Sequence, residues 1–228
     1  MRGLSTLAAV LIAATLVTGC DIGGGGDLVA TASGASTVNG SVQVPAGLHS
    51  GAVSTVNGSI HVADNATVAG ASTVNGGISL GAHASADSLS TVNGGVTVDS
   101  SARVAKGVTT VNGGLTLKNG ADVGGTAGNV NGSIVLTGAH VGGGLHTVSG
   151  DIDVTDGSHV EGGILVEKSG SWFNFNPRRP RIVIGPNSVV QGDLRFERDV
   201  ELFVSDKATT GPIIGATAVR FSGEKPKS

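Results

Sequence analysis

A short motif, Thr-Val-Asn-Gly or a close variant, recurs along the chain at an almost constant interval. Its asparagines are each followed by glycine and lie 18 or 19 residues apart: Asn39, Asn57, Asn75, Asn93, Asn112 and Asn131. Ser149-Gly150 takes the seventh position. A repeat this short cannot bury a hydrophobic core alone, so consecutive repeats must stack on one another.

The hydrophobic residues of each repeat follow the two-residue period of β-strands. If Ser54 is position 1 of a coil, then Val56, Ile60 and Val62 occupy positions 3, 7 and 9, and no coil has a polar residue there. In the later coils these rows are assigned to Val166 and Phe196, Ile182 and Val200, and Ile184 and Leu202. Paired inward positions 1 and 3, 7 and 9, and 13 and 15 predict three short strands per coil. We therefore expect an all-β, single-domain fold, a triangular parallel β-helix (β-solenoid) of about nine coils of 18–19 residues.

The polar residues of the motif admit two interpretations. Asn and Gly tolerate left-handed backbone angles, so Asn-Gly suits a corner between strands, and stacked Asn side chains can hydrogen-bond as a ladder from coil to coil. In the alternative, Asn joins an outward row of threonines in a flat lattice that binds ice or a polysaccharide. These threonines are Thr37, Thr55, Thr73, Thr91, Thr110 and Thr147, with Asn129 interrupting the row.

The N-terminus has the pattern of a cleaved export signal. Arg2 precedes an apolar run from 4 to 17, which is too short to span a bilayer. The sequence 17–20, Val-Thr-Gly-Cys, resembles the lipobox of bacterial lipoproteins. This resemblance implies removal of residues 1–19 and acylation of Cys20, and Asp21 resembles an inner-membrane retention signal. After the signal peptide we expect a Gly-rich tether over 20–27, a solenoid over 28–222 and a charged tail over 223–228.

One insertion interrupts the repeat. Twelve extra residues enter between Val166 and Ile182, and the predicted loop 168–181 is rich in aromatic and basic residues. Its candidate contact residues are Trp172, Phe173, Phe175, Arg178, Arg179 and Arg181. They either bind a partner, an anionic glycan or lipid head groups, or cover the flank of the solenoid.

Signals for catalysis or metal binding are weak. Asp151, Asp153 and Asp156 loosely suggest calcium binding or a glycan-cleaving pair, but they lack EF-hand spacing, and solvated outer carboxylates are the favoured interpretation. The histidines fall at scattered coil positions, which argues against a shared metal site: His49, His61, His83, His140, His146 and His159. Without residues 1–19 the chain has 13 basic and 17 acidic residues, which argues against nucleic-acid binding. We expect no catalytic residues, metal or cofactor.

Two stretches also resemble known families. Residues 54–60 (STVNGSI) and 147–154 (TVSGDIDV) resemble the repeat units of bacterial adhesin-type β-solenoid domains, and residues 182–194 are similar to bactofilins, which form polymeric scaffolds. Both resemblances imply a right-handed solenoid without catalysis.

The expected function is a non-enzymatic, lipid-anchored protein of the bacterial cell envelope, facing the periplasm or the cell exterior. It would act as a scaffold or adhesin-like surface, with the bilayer, further copies of itself or an envelope glycan as candidate partners. The alternative is a glycan-binding or glycan-cleaving solenoid that uses the aromatic loop and the Asp cluster. A buried carboxylate pair in a groove would favour the alternative, and a uniform polar lattice without a groove would favour the scaffold.

Overall fold

The structure, a computed structural model, describes residues 26–168 and 178–226. All its regular elements are strands. They are β1 (Leu28–Val29), β2 (Ala35–Asn39), β3 (Val42–Val44), β4 (His49–Asn57), β5 (Ile60–Val62), β6 (Thr67–Asn75), β7 (Ile78–Leu80), β8 (Ser85–Asn93), β9 (Val96–Val98), β10 (Arg103–Asn112), β11 (Leu115–Leu117), β12 (Asp122–Val123) and β13 (Ala127–Asn131). They continue as β14 (Ser133–Thr137), β15 (His140–Val141), β16 (Leu145–Thr147), β17 (Asp151–Thr155), β18 (His159–Val160), β19 (Ile164–Val166), β20 (Arg181–Ile184), β21 (Val189–Val190), β22 (Leu194–Phe196), β23 (Glu201–Ser205), β24 (Thr209–Thr210), β25 (Ile213–Ile214) and β26 (Ala218–Phe221).

The named strands pair in parallel with the equivalent strands of the preceding and following coils. One sheet has eleven strands in the order β1-β3-β5-β7-β9-β11-β14-β17-β20-β23-β26. The other has fifteen and supplies two faces, because β4, β6, β8 and β10 run through a corner that later coils divide between shorter strands. Three faces per coil and about ten turns confirm the predicted parallel β-solenoid, which extends slightly further than the nine expected coils.

Side chains from all three faces fill one continuous core. Rows 7 and 9 are buried as predicted, and Ile60, Val62 and Leu80 are at most 1% exposed. Positions 13 and 15 hold smaller buried residues such as Ala66 and Val68. Alternation between buried and exposed positions is therefore maintained along each of these short strands.

The prediction that positions 1 and 3 face inward is wrong, because the inward positions are offset by one residue. Position 3 faces outward: Val38 is 53% and Val56 37% exposed. The threonines at position 2 are buried instead, as is the preceding apolar residue, for example Val53 next to Ser54 and Thr55. A one-residue shift exchanges the two faces of a strand, and both registers satisfy the same two-residue period.

Two assignments in the later coils also require correction. Val166 pairs with Thr147 and with Phe196, so both apolar residues continue the buried threonine row rather than row 3. Leu202 pairs with Ile182 and therefore occupies row 7. Val204 follows in row 9, and Val200 packs only partly buried against the core.

The glycine at position 5 is required by close packing between coils. A Cβ on Gly76 would overlap the carbonyl oxygen of Gly58, and one on Gly94 would overlap that of Gly76. The asparagines of the motif do not adopt the left-handed conformation that the sequence suggested. The non-glycine residues with positive φ lie instead at the next corner, where Asn65 has φ 60° and Ser101 φ 58°.

Insertions lie at corners, as predicted. The pairing between β8 and β10 shifts between Val104 and Gly107, which places the extra residue of that coil at a bulge. After the 168–181 insertion, Ile182 pairs with Ile152, so the register resumes intact. The strand from 181 onward therefore continues the sheet that the insertion interrupts.

Candidate functional site

The asparagine side chains form a hydrogen-bonded ladder along one corner. Asn57 donates its amide N–H to the Asn39 side-chain oxygen at 2.9 Å, and the four following steps repeat this bond at 2.9–3.0 Å up to Asn131. The side chains are exposed on one edge of the solenoid. Each interior rung uses one donor and one acceptor on its neighbours, which favours a structural role.

The threonine row bonds to the backbone of the neighbouring coil. The Thr73 hydroxyl donates to the carbonyl of Gly58 at 2.9 Å, and Thr55, Thr91 and Thr110 make the equivalent bond. These side chains are at most 4% exposed. The proposed ice- or polysaccharide-binding lattice of outward threonines is therefore wrong.

Asn129 breaks the bonding pattern of this row. It pairs with Thr110 and is 2% exposed, yet neither its side-chain nitrogen nor its oxygen has a hydrogen-bond partner among the described residues. Buried amide groups are nearly always paired, so we expect this residue to weaken the coil that contains it.

The basic residues at the end of the insertion contact the solenoid. Arg178 forms an ion pair with Asp151 at 2.6 Å, and the Arg179 guanidinium lies 3.7 Å from Asp199. Arg181 lies over the Phe203 ring, 5.2 Å from its centroid. Trp172, Phe173 and Phe175 lie outside the described residues, as do Cys20, Asp21 and the signal peptide. The charges of Arg178 and Arg181 therefore help to dock this part of the loop on the coil.

Arg198, which no sequence pattern indicates, also holds the returning chain against the solenoid. Its guanidinium donates to the Val148 carbonyl at 3.0 Å and to the Arg178 carbonyl at 3.2 Å. It thereby joins the corner of an earlier coil to the returning chain. No motif marks this residue, because its partners lie 20 and 50 residues away in sequence.

The Asp cluster differs from the solvated face that we expected. Asp151 also accepts the Arg181 backbone N–H at 2.8 Å, and its side chain is 25% exposed. Burial raises the pKa of Asp153, an effect that Arg181 opposes and Asp151 reinforces. Asp156 is exposed at a corner with φ 55°. Two of the three carboxylates are therefore partly buried beside the insertion.

Another face carries a chain of charged groups that crosses several coils. Asp122 contacts Arg103 at 3.1 Å and the His140 Nδ1 atom at 2.6 Å, while the His140 Nε2 atom lies 3.2 Å from Glu161. The hydrogen bond that the protonated His140 ring donates to Asp122 is the main reason that the pKa of His140 is raised; burial opposes this effect and Glu161 adds to it. His140 and His159 share a row, with ring centroids 5.7 Å apart, so the histidines are less scattered than predicted.

A groove lies on the outer side of the face that contains the repeat motif. It crosses β10, β13, β16, β19 and β22 and has a volume of about 680 Å³. Its lining includes Gly128, His146, Leu165, Glu167, Asp193 and Arg195. We call it the His146 groove.

Glycines in two rows of the outer face help to form this groove. Thr109 pairs with Gly128, and Gly128 pairs with His146, so the glycine stands where the preceding coil has a Thr and the next a His. Gly144 and Gly163 also contribute to the lining. The substitution of Gly128-Asn129 for the Ser-Thr pair of the earlier repeats is the one sequence signal that could have located it.

An incompletely bonded polar pair lies within the groove. The His146 Nε2 atom is 3.2 Å from the Glu167 Oε1 atom, and both side chains are 19% exposed. This nitrogen is buried and forms no hydrogen bond of acceptable geometry with the described residues. Asp193 and Arg195 are exposed nearby and form no ion pair with described residues. The polar groups of the groove that a ligand can reach are thus the Glu167 and Asp193 carboxylates and the Arg195 guanidinium.

The described residues contain no cluster of three or more His, Cys, Asp or Glu side chains suited to a metal ion. Within the same residues, no helix has the length and apolarity needed to cross a membrane. No family model, curated protein or solved structure matches this chain.

Proposed function

We propose that the chain is a lipid-anchored protein of the bacterial cell envelope that acts without catalysis as a scaffold or adhesin-like surface. This proposal rests on the observation that the polar side chains of the repeat form hydrogen bonds within the solenoid. Thr73 and its equivalents bond to the backbone of adjacent coils, and Asn57 and its equivalents bond to each other. The recurrent motif thus supports a stiff rod, as a surface-displayed spacer or scaffold requires.

The position of the first coil fits attachment through Cys20. Strand β1 begins at Leu28, so residues 20–27 separate the acylated sulfur from the solenoid. Eight residues span at most about 29 Å when fully extended. Ten turns spaced at about 4.8 Å give a rod roughly 48 Å long, whose far end would extend well beyond the lipid head groups.

Replacement of Cys20 tests the anchor. Cys20→Ser should move the protein from the membrane fraction to the soluble fraction, and mass spectrometry should no longer detect an acylated N-terminus. Thr18→Ser, which leaves the cysteine in place, serves as the control. A Cys20→Ser protein that stays in the membrane fraction would contradict anchoring through this residue.

Glycan binding is the second candidate function, and the His146 groove is the observation that favours it. The groove offers polar groups without internal partners, whereas Asp151 already engages Arg178 and the Arg181 backbone. A glycan-binding function would therefore depend on a surface different from the Asp cluster.

A further inference from the structure

The His146 groove has the size and composition of a ligand site. Its volume of about 680 Å³ lies within the range of roughly 300–1,000 Å³ that is typical of small-molecule pockets. It lies on consecutive strands of one sheet, so the strand pairing holds its lining residues in a fixed relation. A groove supported in this way needs little rearrangement to accept a ligand.

The polar groups of the groove suit hydroxyl groups. A hydroxyl can donate to the Glu167 or Asp193 carboxylate and accept from the Arg195 guanidinium. The His146 Nε2 atom is buried 3.2 Å from the Glu167 carboxylate. Glu167 lies two residues beyond Leu165, the strand partner of Arg195, so adjacent hydroxyls can engage the Glu167 carboxylate and the Arg195 guanidinium. Pairs of adjacent hydroxyls are characteristic of sugars.

The remaining lining suits the C–H surface of a sugar ring. Leu165 is partly exposed between His146 and Arg195 in the same row, and Gly128 leaves the neighbouring floor without a side chain. A flat, weakly apolar floor with polar groups along it can orient a ring through contact and hydrogen bonds together.

Other ligand classes fit less well. An extended peptide that adds a strand to a sheet requires unpaired backbone groups, but the strands that cross the groove are paired with neighbours on both sides. A polyanion would meet the carboxylates of Glu167 and Asp193, which oppose the attraction of Arg195.

We propose that the His146 groove binds a short neutral saccharide, with Glu167 and His146 at its centre and Asp193 and Arg195 at one end. This inference specifies a ligand for the envelope surface protein proposed above. It rests on that proposed function only because the cell envelope is where the protein would meet a glycan. Binding itself is a property of the purified chain.

Calorimetric titration of the full chain, purified in a detergent without sugar head groups, tests the proposal. The probes are cellotriose, chitotriose and maltotriose, with trigalacturonate as an anionic comparison. We expect at least one neutral trisaccharide to bind, and Glu167→Gln to weaken its affinity at least about tenfold because a charged hydrogen-bond acceptor is lost. Glu197→Gln is the matched control: Glu197 follows Phe196 as Glu167 follows Val166, but it is not part of the groove lining.

A second pair of variants blocks the groove sterically. A Cβ on Gly128 makes only ordinary contacts with His146, at 3.6 and 3.7 Å, so Gly128→Thr should fill the groove while the fold is retained. Gly114→Thr, whose Cβ is equally accommodated outside the groove, is the control. We expect Gly128→Thr to abolish detectable binding and Gly114→Thr to preserve it.

Three outcomes would overturn the proposal: no binding of any neutral probe at millimolar concentration, preference for trigalacturonate, or unchanged affinity in Glu167→Gln and Gly128→Thr. These results are independent of membrane fractionation. If no saccharide binds but Cys20→Ser is released into the soluble fraction, saccharide binding at the groove is rejected and the lipid-anchored scaffold is retained. If a saccharide binds but Cys20→Ser stays in the membrane fraction, the anchor is rejected and the binding site is retained.

Discussion

The adjacent Thr and Val of the repeat occupy environments opposite to those that their polarity suggests. Thr73 is 1% exposed and donates a hydrogen bond to the Gly58 carbonyl, while Val74 faces outward. Thr is β-branched like Val, and it can pack within the coil while its hydroxyl satisfies a backbone oxygen that would otherwise lack a donor. The corner hydrogen bond, rather than hydrophobicity alone, determines which residue is inside.

Asn129 provides a test of this explanation at a single residue. Asn129→Thr should raise the free energy of unfolding by about 0.5–2 kcal/mol, because it replaces an unpaired buried amide with the residue that bonds successfully in the same row. Urea unfolding measured by circular dichroism would give the change. The reverse substitution in an intact coil, Thr91→Asn, should be destabilising. A destabilised Asn129→Thr protein would show that the amide has a favourable role.

Corners between strands depend on close contact between stacked glycines. Gly76→Ala should lower the free energy of unfolding by about 1–3 kcal/mol, since its Cβ would overlap the Gly58 carbonyl and the coils would have to separate. Gly114→Ala is the matched control, because its Cβ would lie 3.5 Å from the nearest atom, the Ser133 hydroxyl oxygen. Equal effects of the two substitutions would mean that backbone entropy, rather than packing, explains the glycine row.

The charged face should make stability depend on pH. The hydrogen bond with Asp122, supported by Glu161, raises the pKa of His140 above its ordinary value of 6.5. The contribution of protonated His140 is therefore fully present below about pH 6.5 and is lost as the pH rises through the raised pKa. Arg103 and His159 also contact this network and affect its charge balance.

Thermal melting across this range checks the assignment. His140→Gln should reduce the fall in melting temperature between pH 6 and 9, whereas His49→Gln, at an exposed position in β4, should leave it unchanged. The effect should be modest and salt-sensitive, because the His140 side chain is 40% exposed. An unaltered pH profile in His140→Gln would reject this histidine as the source.

Much of the arrangement of the strands could be predicted from the sequence. The rows of Ile60 and Val62 are apolar in every central coil, and the insertion before Ile182 preserves the register on both sides. The sequence could not show whether Thr55 or Val56 faces inward, because either choice satisfies the two-residue period of a strand. The groove was also missed, since it depends on how His146 and Glu167, in consecutive coils, are arranged beside a glycine.

Across the whole molecule, the coils with a regular repeat and the coils with an irregular one present different outer surfaces. The first half presents a regular surface in which Ser36, Ser54 and Ser72 share a row without charge. The second half replaces this row with Gly128, His146 and further dissimilar residues, and there the groove opens. The uniform half suits a rod, and the irregular half is where recognition is proposed.

The motif's threonines lie inside the solenoid and its valines face outward. A comparison of the melting temperatures of Thr73→Asp and Val74→Asp tests this arrangement, since the two positions are adjacent and receive the same charge. Thr73→Asp should destabilise the fold by several kcal/mol through burial of a carboxylate, and Val74→Asp should change it by less than about 1 kcal/mol. A larger loss for Val74→Asp than for Thr73→Asp would contradict the register and the structural role assigned to the motif.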